Sequence, residues 1–195
     1  ASRRQNARLP VPLSPRTRYT WSVEVQTDGG GRAFSEDIFE TGAGTVAGSW
    51  IAPAQASSLH PCMGKIFTVE EGAVRARLYI TGMGLFVPFL NGTRVGCDHL
   101  APGCTDYKRV KQVYTYELPV RTGENTLEVL LGNGWYCGRF AGRTEIYGSE
   151  RLVIAEAEIR YADGRVQRIC TDTSWTWRES CVSEDGIYDG EVQDH

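Results

Sequence analysis

Val74–Ile80, with the sequence VRARLYI, places apolar side chains at every second position, so that residues 74, 76, 78 and 80 share one face. Trp21–Val25 and Ala155–Tyr161 alternate in the same way. Alternation with a period of two predicts strands that bury one face and leave the other in solvent. Because no stretch sustains the spacing of an amphipathic helix, we expect an all-β fold with little helix.

The residues between these strands favour tight hairpins. Asn91-Gly92 follows the apolar run Leu85–Leu90, and Asp163-Gly164 precedes Val166–Cys170. Both dipeptides suit the positive φ angles of short β-turns. Pro88 has no N–H to donate, which predicts a strand at a sheet edge or with a bulge. Many short strands joined by turns predict an antiparallel β-sandwich.

The composition is that of a globular protein. The 195 residues are 41% hydrophobic and 23% charged, with a net charge of −3. We therefore expect no nucleic-acid partner, and the apolar runs are too short for a membrane partner. The six cysteines show no C-x-x-C spacing, and we expect most of them to be free. Both a bacterial cytoplasm and secretion remain open, the cytoplasm being slightly favoured.

Small residues and prolines after Gly42 predict a linker over residues 44–60. This linker would separate residues 1–43 from a main domain at residues 61–195. The first piece offers only two good strands, which are marginally stable alone. We expect it either to dock on the main domain or to be the end of a longer module.

Six motifs follow one another in the main domain. They are Ala76–Gly84 (ARLYITGMG), Leu90–Gly96 (LNGTRVG), Leu100–Tyr107 (LAPGCTDY), Gly123–Thr126 (GENT), Leu131–Gly138 (LGNGWYCG) and Ile187–Glu191 (IYDGE). Together they resemble the N-terminal β-sandwich domain of bacterial α-L-rhamnosidases. Residues 13–41 resemble the last strands of a fibronectin type III-like module, and Ser49–Ile51 resembles the connector that follows it.

This resemblance implies a jelly-roll-like, galactose-binding-like sandwich, preceded by a partial fibronectin type III-like strand pair. It also implies a non-catalytic accessory fragment of a glycoside hydrolase that acts on terminal α-L-rhamnosides. The catalytic domain of the parent chain would lie downstream, and the first strands of the fibronectin-like module would be missing.

Four residues of one glycine-rich loop are candidates for carbohydrate binding. Trp135 and Tyr136 offer flat faces for a sugar ring, while Asn133 and Arg139 offer hydrogen-bonding groups for neighbouring hydroxyls. The alternative is that the two aromatic residues are core anchors of the sandwich. Trp175 and Trp177 share a strand face, and we expect at least one of them to be buried.

Some members of the resembling family bind L-rhamnose with calcium. Oxygen ligands for such an ion would come from Asp172, Asp189 and Glu191, unless these residues form a solvated acidic tail. Glu156 and Glu158 alternate with apolar residues and are expected on the solvated face of a strand. We therefore predict no catalytic carboxylate pair.

Two functions remain open. The first is a carbohydrate-binding-like module that holds a rhamnose-containing glycan near the catalytic domain of the parent chain. The second is a structural spacer that packs on the catalytic domain and has no ligand.

Overall fold

The computed structural model describes residues 11–194, and the chain divides into two compact units between Thr45 and Val46. The part of the domain prediction that concerns residues 1–10 lies outside the described residues. No helix within residues 11–194 is long and apolar enough to cross a membrane.

Unit one is an antiparallel hairpin of β1 (Arg18–Gln26) and β2 (Arg32–Glu40). The turn between the strands is closed where the Thr27 N–H donates to the Gly31 carbonyl at 2.9 Å. Tyr19 and Phe39 are opposite each other and stack with their ring centres 5.4 Å apart. The hairpin has the two strands that the alternation predicted, and its assignment to a fibronectin type III-like module remains a prediction.

Unit two contains two larger antiparallel sheets and a second hairpin. One sheet has the order β10 (Val166–Cys170), β9 (Leu152–Tyr161), β4 (Ala73–Met83), β7 (Tyr114–Glu117). The other has the order β11 (Thr176–Glu179), β3 (Pro61–Val69), β8 (Gly123–Gly132), β5 (Leu85–Leu90), β6 (Thr93–Arg94). The second hairpin pairs β12 (Val182–Gly186) with β13 (Gly190–Gln193), and α1 (Gly134–Cys137) is a single helical turn.

The core of unit two lies between the two larger sheets. Leu78 and Ile159 from one sheet and Leu127 and Val129 from the other belong to one cluster of buried side chains. Trp175 is buried in this cluster and Trp177 packs against it, which confirms that at least one of the two is buried. The predicted all-β antiparallel sandwich is thus confirmed.

The predicted hairpin turns are also present. Asn91 and Gly92 have φ angles of 51° and 77°, and they join β5 to β6. Asp163 and Gly164 join β9 to β10. The expectation that Pro88 marks an edge strand or a bulge was wrong, because β5 lies between β8 and β6 and pairs with β8 in continuous register. Its outer neighbour β6 has only two residues, and the Pro88 carbonyl accepts from the Val95 N–H on that side, so the missing donor faces the short edge of the sheet.

Residues of the predicted linker bond to the β9 sheet. The Ser49 N–H donates to the Thr171 carbonyl at 2.8 Å, and Ile51 forms an antiparallel bridge with Val153. The division of the chain falls inside the predicted linker, and the residues after it belong to unit two. The domain bounds 1–43, 44–60 and 61–195 stay a prediction.

The expected solvent exposure of Glu156 and Glu158 was wrong. Only 1% and 3% of these two residues is exposed. Arg168 donates to both carboxylates, at 3.1 and 3.0 Å, and the Ala47 N–H donates to Glu156 at 2.8 Å. The second face of β9 is therefore covered, and its charges are paired within the fold.

Candidate functional site

The predicted sugar-binding residues lie where the chain leaves β8 and forms α1. Gly134 has a φ of 53°, and a Cβ atom built there would be 2.6 Å from Leu85 Cγ. Only glycine combines this left-handed backbone with such a close approach. The glycines of the motif thus let the loop fold tightly against β5.

Asn133 is held by contacts within the protein. Its backbone N–H donates to both carboxylate oxygens of Asp185, at 2.9 and 3.1 Å. Its side-chain Oδ1 accepts from Arg151 Nε at 2.8 Å, while Nδ2 donates to the Asp185 carbonyl at 3.4 Å. Both ends of the amide are therefore already used, and the loop is tied to the β12–β13 hairpin.

Trp135 and Tyr136 are half-buried. Tyr136 meets the edge of Tyr107 with ring centres 5.3 Å apart and stacks on Tyr147 at 6.4 Å. Burial raises the pKa of Tyr136 and raises that of Tyr107 to about 12, so both phenols stay neutral. Tyr136 thus has a packing role in a three-tyrosine cluster.

Arg139 points to the β12–β13 hairpin, where its Nη2 lies 2.6 Å from Asp189 Oδ1. The guanidinium group lies 5.2 Å from the ring centre of Tyr188, which is 57% exposed. Arg139, Asp189 and Tyr188 therefore form one solvent-facing group, which we call the hairpin surface. The sequence singled out Arg139 and Asp189 separately, and it missed Tyr188.

The three residues predicted to bind calcium are not gathered. Asp189 is paired with Arg139, Glu191 accepts from Gln193, and Asp172 accepts from Ser174 in the loop between β10 and β11. Within residues 11–194 no three His, Cys, Asp or Glu residues are grouped to hold a metal. The residues present do not fit a calcium ion, which needs six to eight clustered oxygens.

Behind the loop lies a buried histidine that the sequence gave no reason to select. His60 is 1% exposed, and its Nε2 lies 3.4 Å from Asp185 Oδ1 without a hydrogen-bond partner. Burial, with a smaller effect from Arg151, lowers the pKa of His60, while Asp185 and Glu191 oppose the shift. Asp185 thus connects His60 to Asn133, through contacts between residues far apart in sequence.

The fold and the Asn133 loop define the class of the protein. It is an all-β sandwich domain in which hydrogen bonds from Asp185 and Arg151 hold a polar loop after β8. A family model described as the alpha-L-rhamnosidase N-terminal domain matches residues 71–195, well over half of the chain. The chain belongs to this family, which confirms the resemblance of the main domain. The matched region is the N-terminal domain of these enzymes and is not their catalytic domain.

Curated relatives agree with the family model. An alpha-L-rhamnosidase from Streptomyces avermitilis is 36% identical over 154 residues, which is 76% of this chain and 15% of the relative. One from Alteromonas sp. is 32% identical over 161 residues, which is 75% of this chain and 18% of the relative. The chain therefore spans less than a fifth of the length of these relatives.

Solved structures show the same fold. An alpha-L-rhamnosidase from Aspergillus terreus matches with a TM-score of 0.81 and 30% identity, covering 92% of this chain and 23% of the other. The Streptomyces avermitilis enzyme, solved with L-rhamnose, matches with a TM-score of 0.67 and 28% identity, over 88% of this chain and 19% of that enzyme.

Proposed function

We propose that this chain is an accessory domain of an α-L-rhamnosidase that contacts a rhamnose-containing glycan through the hairpin surface. The observation that carries this proposal is the exposed Tyr188 beside the Arg139–Asp189 pair. The parent enzyme would act on terminal α-L-rhamnosides, as the names of its relatives suggest.

The chemistry of the hairpin surface suits a sugar. The exposed face of Tyr188 can pack against the C–H groups of a pyranose ring. Arg139 supplies donors and Asp189 supplies acceptors, and both are half-exposed or more, so neighbouring hydroxyls can bond to both. The ion pair also orients these groups before a ligand arrives, which lowers the entropic cost of binding.

A weak contact of this kind has a use in a larger enzyme. Holding one part of a glycan near the catalytic domain raises the effective concentration of its scissile bond. No high affinity is needed for that effect, since the two sites belong to one chain. The binding partner of this domain would then be the same glycan that the catalytic domain cleaves.

The second candidate is a structural spacer that packs on the catalytic domain of the parent chain. It is favoured by Asn133, whose amide is used internally, and by Tyr136, which packs in the tyrosine cluster. A spacer needs no ligand, and it predicts that the hairpin surface is buried in the parent enzyme.

Titration of the 195-residue chain with L-rhamnose separates the two functions. Tryptophan fluorescence and isothermal titration calorimetry should show weak, saturable binding that EDTA does not abolish. Arg139→Ala should weaken this binding at least tenfold, since it removes charge-assisted hydrogen bonds. Arg143→Ala, an exposed arginine in the same loop region, is the matched control. No response in any condition would support the spacer instead.

A further inference from the structure

A concave site in unit two is lined by none of the residues that form the hairpin surface. Residues 52–57 and 59, which precede β3, Pro61 at the start of β3, and residues 149–151, which precede β9, line an open cavity of about 380 Å³. Small-molecule sites in proteins typically have volumes of ~300–1,000 Å³. The cavity is therefore large enough for a small ligand.

One wall carries a fixed cation beside a carboxylate. Arg151 and Glu150 both line the cavity. Arg151 is held because its Nε donates to Asn133 Oδ1 at 2.8 Å, and Asn133 is itself tied to Asp185. Asn133 thus positions the guanidinium group, which has four further N–H donors besides the one that Asn133 accepts.

The rest of the lining contains both polar and apolar groups. Ser57 lines the cavity, and it is fixed by donating to Glu179 Oε1 at 2.5 Å and accepting from the Leu59 N–H at 3.0 Å. Gln55 adds an amide with both donors and acceptors. Pro53 and Ala54 supply small apolar surface beside these groups.

The lining as a whole suits an uncharged ligand with many hydroxyl groups. Arg151 and Glu150 are the charged residues of the lining, so its net charge is zero and favours neither an anion nor a cation. A purely apolar ligand would leave the polar groups of the walls unpaired. Hydroxyl groups both donate and accept, and the C–H face of a sugar can rest on Pro53 and Ala54.

We propose that this cavity is a second binding site, for a small, uncharged, polyhydroxylated ligand such as a terminal sugar unit of a glycan. The choice of a sugar rests on the proposed function, whereas the location and the role of Arg151 do not. Asn133 acts here as a positioning residue for Arg151.

Chemical-shift mapping on the ¹⁵N-labelled 195-residue chain tests this proposal, with methyl α-L-rhamnopyranoside as the probe. We expect saturable shifts at residues 52–59 and 149–151. Arg151→Ala should weaken binding at this site at least tenfold, and Arg143→Ala should leave it unchanged. Ala54→Trp places a large ring in the cavity and removes no polar group, so it should abolish the same shifts. The dispersion of the spectra reports whether each variant is folded.

The outcomes separate this site from the hairpin surface. Shifts confined to Arg139, Tyr188 and Asp189 would overturn the second site and leave the proposed function standing. Shifts confined to 52–59 and 149–151 would support the second site and count against the hairpin surface. Unchanged affinity in Arg151→Ala, or no shifts at all, would overturn the assignment of this cavity.

Discussion

Buried polar side chains determine how the parts of unit two are joined. Glu156 receives hydrogen bonds from Arg168 and from the Ala47 N–H, and His60 faces Asp185 behind the Asn133 loop. The contacts of Ala47 with Glu156 and of His60 with Asp185 link segments that are distant in sequence. A polar group buried in this way is expensive to leave unpaired, so these residues should show large effects when changed.

Glu156→Ala should lower the free energy of unfolding by about 2–4 kcal/mol, because it leaves the Ala47 N–H without its acceptor and removes one of the two carboxylates that bind Arg168. Glu71→Ala, at an exposed position in the turn before β4, should change it by less than about 0.5 kcal/mol. Urea unfolding measures both. Equal, small effects would mean that Glu156 is not paired as described.

His60 should make stability depend on pH. Its folded-state pKa lies below the ordinary value of 6.5 because the side chain is buried. The unfolded chain therefore binds a proton more readily, and stability falls as the pH drops below about 6.5.

The free energy of unfolding should fall less steeply between pH 7.5 and 5.5 in His60→Gln than in the unchanged protein. The two slopes should differ by less than about 1.4 kcal/mol per pH unit, which is the most that one titrating group contributes. His99→Gln, at an exposed position, is the control for the change from histidine to glutamine. If the slope of the His60 variant equals that of the unchanged protein, the pKa of His60 does not differ between the folded and unfolded states, and the description of His60 is wrong.

At the scale of the elements, the alternating pattern located strands and turns well. The stretch 74–80 lies in β4, Ala73–Met83, and the Asn91-Gly92 turn joins β5 to β6. Local signals suffice here, because alternation and turn residues act within a few positions. The sequence wrongly predicted that the Glu156 face of β9 is exposed to solvent, because the residues that bond to Glu156 there are Arg168 and Ala47. Local sequence patterns also gave no sign of His60 and Tyr188, because their partners are determined by tertiary packing.

The junction of β4 and β5 should tolerate no side chain at Gly84. A Cβ atom there would lie 2.3 Å from the Gly132 carbonyl oxygen, and the φ of 108° already disfavours other residues. Gly84→Ala should therefore destabilise the protein by about 3 kcal/mol or more.

Gly72→Ala is the control for Gly84→Ala, because it measures the cost of a positive φ without a steric clash. Urea unfolding measures both variants. Gly72 also has a positive φ, of 85°, but nothing lies within 4 Å of the added atom. Its cost should stay near about 1–2 kcal/mol. Equal costs for the two variants would show that the close approach at Gly84 is relieved by movement of β8.

At the scale of the whole molecule, unit two has its own core and its own hydrogen-bonded connector. Residues 46–195 alone should unfold in one cooperative transition, as followed by circular dichroism. A shorter chain starting at residue 54 loses the contacts of Ala47, Ser49 and Ile51, and should be less stable by about 2 kcal/mol or more. An unfolded 46–195 chain would contradict the independence of this unit.

The chain belongs to the alpha-L-rhamnosidase N-terminal domain family, and we propose that it contacts sugar and leaves cleavage to another part of the parent enzyme. The most direct measurement is the release of nitrophenol from p-nitrophenyl α-L-rhamnopyranoside by the purified 195-residue chain. We predict no release above the rate in buffer, at any concentration of the chain. Release that rises in proportion to the chain, and that persists after repeated purification, would contradict the account.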